Sequence, residues 1–331
     1  MLDGRYRVKW LWKDEIPDLP TNYGIAYKCL ESLLNRLQNE QGLENLKRID
    51  KTIQDQLKLG IIEEAFKSKG ELEHYLPHRP VFKDDKIREV YNASARSKGH
   101  KSLNDCLFRG PLKLPDLAGM IMRFRLSKFP LLADIEKAFL QIELEEADRE
   151  VTKFLWLKDI NKPLKFDNLI IYRFTRVAFG IICSPSLLAM TIEHHLNKFP
   201  GYEKLFEIFT SITSLSIVVV KKKEFVTNAR KALEKIPEID KLTDLNQKVL
   251  GINWDIKMDN LEIKFPCSNL EDKFTRRKVL EIMASLFDPL GLVSPCLVNP
   301  KLLFQKLWDK PKNWDEELEI THSNEWINIL N

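Results

Sequence analysis

One short stretch constrains this chain more than any other. Leu132-Ala133-Asp134 is an apolar strand end that delivers a single carboxylate, and Ile135-Glu136-Lys137-Ala138-Phe139 follows it as a helix-like turn with an aromatic five residues beyond the acid. Asp134 has two readings from sequence: a metal ligand at a strand tip, or an N-cap for a helix starting at Ile135. Further on, Leu169-Ile170-Ile171-Tyr172-Arg173-Phe174 reads as a second apolar strand. It leads through Thr175-Arg176-Val177-Ala178-Phe179-Gly180 to Ser184-Pro185, a plausible N-cap with proline at the first helical position.

The rest of the chain supplies a sheet and helices around these segments. Residues 22–60 show helical periodicity, with Leu30, Leu33, Leu34 and Leu37 on one face and Ile49, Ile53 and Leu57 on another. Gly42 lies between the two faces and is read as the break between two helices, and Gly60 as the glycine closing the second. Pro80-Val81-Phe82-Lys83 and Lys86-Ile87-Arg88-Glu89-Val90-Tyr91 read as a hairpin turning at Asp84-Asp85. Residues 111–126 read as a helix, 130–134 as a strand, 135–141 as a short helix, and 154–157 as another strand. Strand, helix, strand, strand and helix around one sheet is the split βαβ pattern. Beyond residue 200, a strand is expected at Ser216–Val220 and a hairpin from Val249 to Phe265, with helices at 275–287 and 300–308.

Composition excludes several classes. The 331 residues are 44% hydrophobic and 30% charged, enough for a buried core. A net charge of +4 is compatible with nucleic acid and specifies nothing. Five cysteines (Cys29, Cys106, Cys183, Cys267, Cys296) never fall at metal-pair spacing and read as reduced intracellular thiols. No segment reads as a signal peptide or membrane span. His194-His195 are adjacent, so on a helix they do not face one point, and they read as structural.

Taken in order, the motifs resemble the reverse-transcriptase region of BEL/Pao-type long-terminal-repeat retrotransposon polyproteins over nearly the whole chain. The resemblance rests on Leu76-Pro77-His78, Lys86-Ile87-Arg88 with Asn92-Ala93-Ser94, Ser102-Leu103-Asn104-Asp105, Asp134 through Phe139, and Phe154-Leu155-Trp156. It continues through Tyr172-Arg173-Phe174, Phe179-Gly180, Ser184-Pro185, Lys248-Val249-Leu250-Gly251 and Phe287-Asp288-Pro289-Leu290-Gly291. It implies an α+β right-hand polymerase fold: a palm of split βαβ type with a fingers hairpin, then a connector hairpin and a helical thumb-like segment. The implied division is an N-terminal arm and helices at 1–70, fingers and palm at 71–247, and a Pao-type region at 248–331 made of a primer-grip-like hairpin with thumb-like helices.

The resemblance also implies roles. Nucleotidyl transfer uses two Mg²⁺ ions that stabilise the attacking and leaving oxygens, and Mg²⁺ takes carboxylates and phosphate oxygens. Asp134 would be the catalytic and metal-binding carboxylate. Lys83, Lys86 and Arg88 would meet a triphosphate, for which arginine offers a bidentate fork; the alternative is a solvated hairpin face. Phe139 would lie under the incoming sugar and select deoxynucleotides, or be an ordinary core phenylalanine. Phe179 and Gly180 would approach the nucleotide and template base, or form a tight turn ahead of the Ser184 helix. Leu250, Gly251 and Trp254 would grip the primer end, and Arg276, Arg277, Lys278, Lys301 and Lys306 could meet duplex phosphates. Two positions depart from the family: Asn92 replaces an aspartate, and Glu89 an apolar residue.

The pattern breaks after the Ser184 helix. The family's strand turn with two adjacent acidic residues is expected near 200–205, and the sequence there, Pro200-Gly201-Tyr202-Glu203-Lys204-Leu205, holds no such pair. Glu203, Glu207, Asp240 and Asp244 are not placed at a strand turn. The expectation is therefore a chain of RNA-directed DNA polymerase ancestry that does not polymerise. Its expected partners are an RNA template with a DNA primer, or RNA–DNA hybrid, and deoxynucleotides, with no membrane. The alternative is a non-catalytic nucleic-acid-binding module retained by a host. An aspartic peptidase relic is disfavoured by the lack of an Asp-Thr/Ser-Gly motif, and ribonuclease H and integrase regions are not recognisable before Asn331. The resemblance implies a cytoplasmic product that later reaches the nucleus.

Overall fold

The structure, a computed structural model, describes residues 4–15, 17–37, 40–66, 72–83, 86–111, 116–126, 131–198, 223–227, 246–265, 273–308 and 313–330. In chain order the first elements are strand β1 (Arg7–Val8), helices α1 (Tyr23–Arg36) and α2 (Glu40–Lys58), and strands β2 (Ile62–Ala65), β3 (His78–Lys83) and β4 (Lys86–Tyr91). Then come α3 (Leu103–Cys106), α4 (Leu117–Leu126), β5 (Leu131–Ile135), β6 (Glu143–Leu144), α5 (Glu146–Arg149), β7 (Phe154–Leu157), β8 (Leu169–Phe174) and α6 (Ser184–Leu196). The last are β9 (Lys223–Thr227), β10 (Asn246–Val249), β11 (Ile252–Asp255), β12 (Asn260–Glu262), α7 (Arg276–Ser285), α8 (Val298–Lys306) and α9 (Ile320–Leu330). The chain is a mixture of helix and sheet, and it divides into two compact units: 1–114 with 135–210 and 217–221, and 115–134 with 211–216 and 222–331.

In the first unit, β8 is the central strand of an antiparallel three-stranded sheet, with β2 on one side (Ile62↔Phe174) and β7 on the other (Phe154↔Tyr172). All four residues of β7 are buried, as its unbroken apolar sequence requires. The leucine and isoleucine faces read from 22–60 do pack: Leu30, Leu33, Ile49 and Ile53 join Tyr75, Phe154, Trp156, Tyr172 and Phe174 in one core. Gly42 corrects one expectation, because it lies inside α2 rather than between helices. A Cβ there would sit 2.6 Å from the Leu37 backbone, so glycine allows the first turn of α2 to press on the end of α1.

The expected hairpin forms, with Val81 opposite Arg88 and Lys83 opposite Lys86. Its inward face holds His78 and Glu89. Both are buried, with His78 Nδ1 3.0 Å from Glu89 Oε2 and His78 Nε2 donating to the Leu155 carbonyl at 3.0 Å. Glu89, which looks out of place among apolar residues, is thus the partner of a buried imidazole. The N-terminal arm is docked rather than merely extended. β1 pairs in parallel with β6, and Asp148 accepts from the Trp10 backbone N–H at 2.7 Å and from Trp12 Nε1 at 2.8 Å.

The second unit has two separate cores. Phe124, Val249, Trp254 and Ile256 join α4 to the meander β10–β11–β12. Phe274, Val279, Ile282, Leu303, Leu307, Leu318 and Trp326 join the C-terminal helices. Two expectations are corrected and one is extended. The strand carrying Asp134 pairs with β9, so among the described residues it is not in one sheet with β7 and β8. The hairpin expected to turn at Met258–Asn260 forms as β11 and β12, and β10 joins it as a third strand that was not expected. Ser184 is the first residue of α6 and not its cap: Cys183 holds the cap position, and the Ser184 hydroxyl donates to the Ala178 carbonyl at 2.7 Å. The strand expected at 216–220 and the gap at 200–205 lie outside the described residues.

Candidate nucleotide-facing site

Three residues read separately from sequence come together in the first unit. The Phe139 and Phe179 rings meet edge to face, with centroids 4.7 Å apart. Phe139 is half-buried on the 3₁₀ turn Ala138–Gln141, whereas Phe179 is 53% exposed, so one ring supports a second that faces solvent. Gly180 follows with φ +89°, and a Cβ there would lie 2.5 Å from the Tyr91 carbonyl at the end of β4. Glycine is needed twice over at this position, for the left-handed backbone and for the close approach. The Phe179 turn is therefore seated against the end of the hairpin that carries Arg88.

The hairpin presents a basic outward face. Arg79, Val81, Arg88 and Val90 are exposed and alternate across the two strands. Lys83 and Lys86 occupy the corresponding register positions at the hairpin end. Arg79 was not picked out from the sequence; the signal available was its period-2 spacing from Val81 and Lys83.

The Phe179–Gly180 turn has a polar support that was also missed. Asn104, on α3, donates through Nδ2 to the Gly180 carbonyl at 3.1 Å and to Ser94 Oγ at 2.8 Å, and its Oδ1 accepts from the Ile182 N–H at 2.8 Å. A capping box fixes α3 itself: the Asp105 N–H donates to Ser102 Oγ, and the Ser102 N–H donates to Asp105 Oδ2. The Ser102 backbone N–H and the Ser102 hydroxyl both donate to Asp105 Oδ2, and they hold that carboxyl below its ordinary range.

Asp134 is the fourth residue of β5, and that strand continues through Ile135. The capping alternative is thereby corrected: the residue ahead of the 3₁₀ turn is Lys137, in left-handed backbone at φ 51°. Among the described residues no three His, Cys, Asp or Glu side chains are grouped to hold a metal ion.

The candidate primer grip is a turn of a different kind. Leu250 (φ 51°) and Gly251 (φ 94°) both have positive φ, the requirement of a type I′ connection between β10 and β11. Trp254 is fully buried against Phe124, and its Nε1 donates to Asp259 Oδ1 at 3.0 Å. It stiffens the meander instead of presenting a surface. Of the basic residues considered for duplex phosphates, Arg276 is buried, Arg277 forms a two-bond pair with Asp315, and Lys306 pairs with Glu325 at 2.7 Å. The Asp315 partner raises the Arg277 pKa, and Arg277 in turn lowers that of Asp315. His195 is engaged by the Tyr6 hydroxyl at 2.8 Å, in keeping with a structural role.

Comparison with known proteins adds two findings. Residues 275–331 match the family described as the Pao retrotransposon-like RNaseH-like domain. Two solved structures of a foamy viral protease-reverse transcriptase are similar to the chain. One, a form described as dRH in complex with double-stranded DNA, is 15% identical with a TM-score of 0.48 over 85% of this chain. The other, in complex with RNA/DNA hybrid, is 14% identical with a TM-score of 0.48 over 88%. The chain spans 46% and 37% of those two chains, less than half of each. A comparison with curated protein sequences gives no match. The family match revises one expectation: residues read as thumb-like, in a chain read as stopping short of any ribonuclease H region, are similar to a family described as RNaseH-like. No helix among the described residues is long and apolar enough to cross a membrane.

Proposed function

We propose that the chain is the reverse-transcriptase-like region of a Pao-type retrotransposon polyprotein. In this reading it binds an RNA–DNA hybrid and deoxynucleotides and does not extend a primer. The observation that carries this is the convergence of Phe139, Phe179 and Gly180 against the end of the basic hairpin. An exposed aromatic ring gives a base or sugar a surface to stack on. Exposed Arg79 and Arg88, with Lys83 and Lys86 in register beside them, offer cations to phosphates. The Pao match at 275–331 supports the retrotransposon origin. Polymerisation is absent from the proposal because Asp134 by itself supplies no two-ion centre.

The test is hybrid binding against salt concentration, by fluorescence anisotropy, with wild type and the Arg79→Ala/Arg88→Ala double variant. Each phosphate contact contributes about 0.7–0.9 to the slope of log K against log salt. The double variant is expected to lower the slope by about 2. An unchanged slope would remove the hairpin face from the binding surface.

A second reading concerns residues 275–331 alone, and the family match there favours it: this segment is part of an RNaseH-like domain. Its described elements are α7, α8, α9 and the 3₁₀ turn Ser294–Leu297, and Asp315, Glu317 and Glu325 are each paired with a cation. Cleavage of the RNA strand of a labelled hybrid by the whole chain with Mg²⁺ or Mn²⁺ would establish it. Intact RNA would leave the segment without that chemistry.

A further inference from the structure

We propose that Asn104 is the positioning residue of the nucleotide-facing turn, holding Phe179 and Gly180 against the hairpin end; the inference rests on the nucleotide-binding reading above. The partners fix the amide's orientation. The Ile182 N–H can only donate, so it must meet Oδ1, and the Gly180 carbonyl can only accept, so it must meet the NH₂ group. One side chain thus satisfies backbone groups on both sides of Ile181, whose own side chain is buried. The second hydrogen on Nδ2 reaches Ser94 Oγ at 2.8 Å, and the Asn104 N–H donates to the Ala93 carbonyl at 3.0 Å. Ala93 and Ser94 lie two and three residues past the hairpin, whose terminal Tyr91 carbonyl is the atom that excludes a Cβ at Gly180. Asn104 therefore bonds both to the turn bearing the exposed ring and to the segment just past the strand end on which that turn rests.

The position is well anchored. Leu103 and Cys106, on either side, are buried in the core, and the Ser102–Asp105 capping box holds the single turn of α3. Asn104 is the half-buried residue that this turn points at Gly180. Its role is distinct from that of Phe179: Phe179 would meet a ligand, and Asn104 would set where Phe179 stands. Aspartate at 104 could still accept from Ile182 N–H but could not donate to the Gly180 carbonyl. Leucine would lose every side-chain hydrogen bond and leave both backbone groups unpaired.

The experiment uses the whole chain as wild type, Asn104→Ala, Asn104→Asp and Phe179→Ala, with circular dichroism to show that each folds. Two readouts are taken: amide hydrogen exchange at Ile182, and binding of a fluorescent N-methylanthraniloyl-dATP probe without divalent cation. Asn104→Ala is expected to speed Ile182 exchange by about tenfold or more and to weaken probe binding by about tenfold. Asn104→Asp should keep most of the Ile182 protection yet still weaken the probe, by less than alanine does. Phe179→Ala should weaken the probe and leave Ile182 exchange unchanged. Unaltered exchange in both Asn104 variants overturns the inference. Faster exchange with undiminished probe affinity also overturns it, by reducing Asn104 to a structural brace. A wild-type chain that binds no probe, with exchange still responding to Asn104, overturns the nucleotide reading itself while leaving the clamp measured. Should Asn104→Ala fail to fold, the aspartate variant alone decides between these outcomes.

Discussion

Two glycine turns, each beside an aromatic residue, were read from the sequence as ligand-contacting, and the structure treats them differently. Gly180 and Gly251 both have left-handed backbone, with φ of +89° and +94°, and at both an added Cβ would collide with a neighbour. At Gly180 the adjacent ring, Phe179, is exposed and the obstructing atom is a backbone carbonyl. At Gly251 the nearby Trp254 is buried and the obstructing atoms belong to the half-exposed ring of Phe287. A glycine in such a motif reports a conformational demand. Whether the motif touches a ligand depends on where the aromatic ring goes, and that is set by packing elsewhere in the chain.

Substitutions distinguish the two turns. The largest effect belongs to Trp254→Ala. It empties the centre of a core built from few residues and leaves Asp259 without the indole donor, so a loss of about 3–5 kcal/mol is expected in denaturant melts. A loss under about 1 kcal/mol would mean that Trp254 is not the anchor of the meander. Next come the glycines themselves. Gly180→Ala meets an immovable carbonyl as well as left-handed strain, and should cost about 2–3 kcal/mol. Gly251→Ala meets a side chain that can swing away, and should cost about 1 kcal/mol. Equal costs, or the reverse order, would erase the distinction between the two turns.

Phe179→Ala should be gentler still on stability. The ring is exposed and makes one edge-to-face contact, so melts should shift by about 0.5–1 kcal/mol. A larger loss would make Phe179 a core residue and remove its availability to a ligand. The smallest perturbation is chemical. Cys183, three residues past Gly180, is buried, and that burial pushes its thiol up to about 11, whereas Cys296 is exposed. A folded-state value above the ordinary one means that the thiol form persists through neutral and mildly alkaline pH, gaining thiolate only as pH approaches 11. An aromatic disulfide reagent at pH 8 should therefore label Cys296 rapidly and Cys183 only on unfolding. In Gly180→Ala, Cys183 labelling should accelerate if the first turn has been displaced.

Elements whose stabilising pattern lies within one segment were legible in the sequence. The hairpin His78–Tyr91 showed its alternation, and α1, α2 and α4 showed their apolar faces. Errors arose where a contact outside the element's own periodicity decides. Gly42 looked like a helix break because its tolerance of Leu37 cannot be seen from periodicity. Ser184 looked like a cap because its true partner is a carbonyl six residues upstream. Glu89 looked anomalous until the hairpin register placed His78 diagonally across from it. The site divides in the same way. Phe139, Phe179 and Gly180 could be read from motif order, but Asn104 could not, since its bonds to Gly180 and Ile182 span 76 and 78 residues. Arg79 required the register of the hairpin to join Arg88 on one face.

The most direct test of the whole account is primer extension on a sample already shown to bind hybrid. Wild type and Asp134→Asn would be given an RNA template, a DNA primer, deoxynucleotides and Mg²⁺, then Mn²⁺. Both proteins are expected to bind hybrid, and neither to extend the primer. Extension by wild type that is lost in Asp134→Asn would contradict that expectation, and would mean that further carboxylates complete a working metal centre with Asp134.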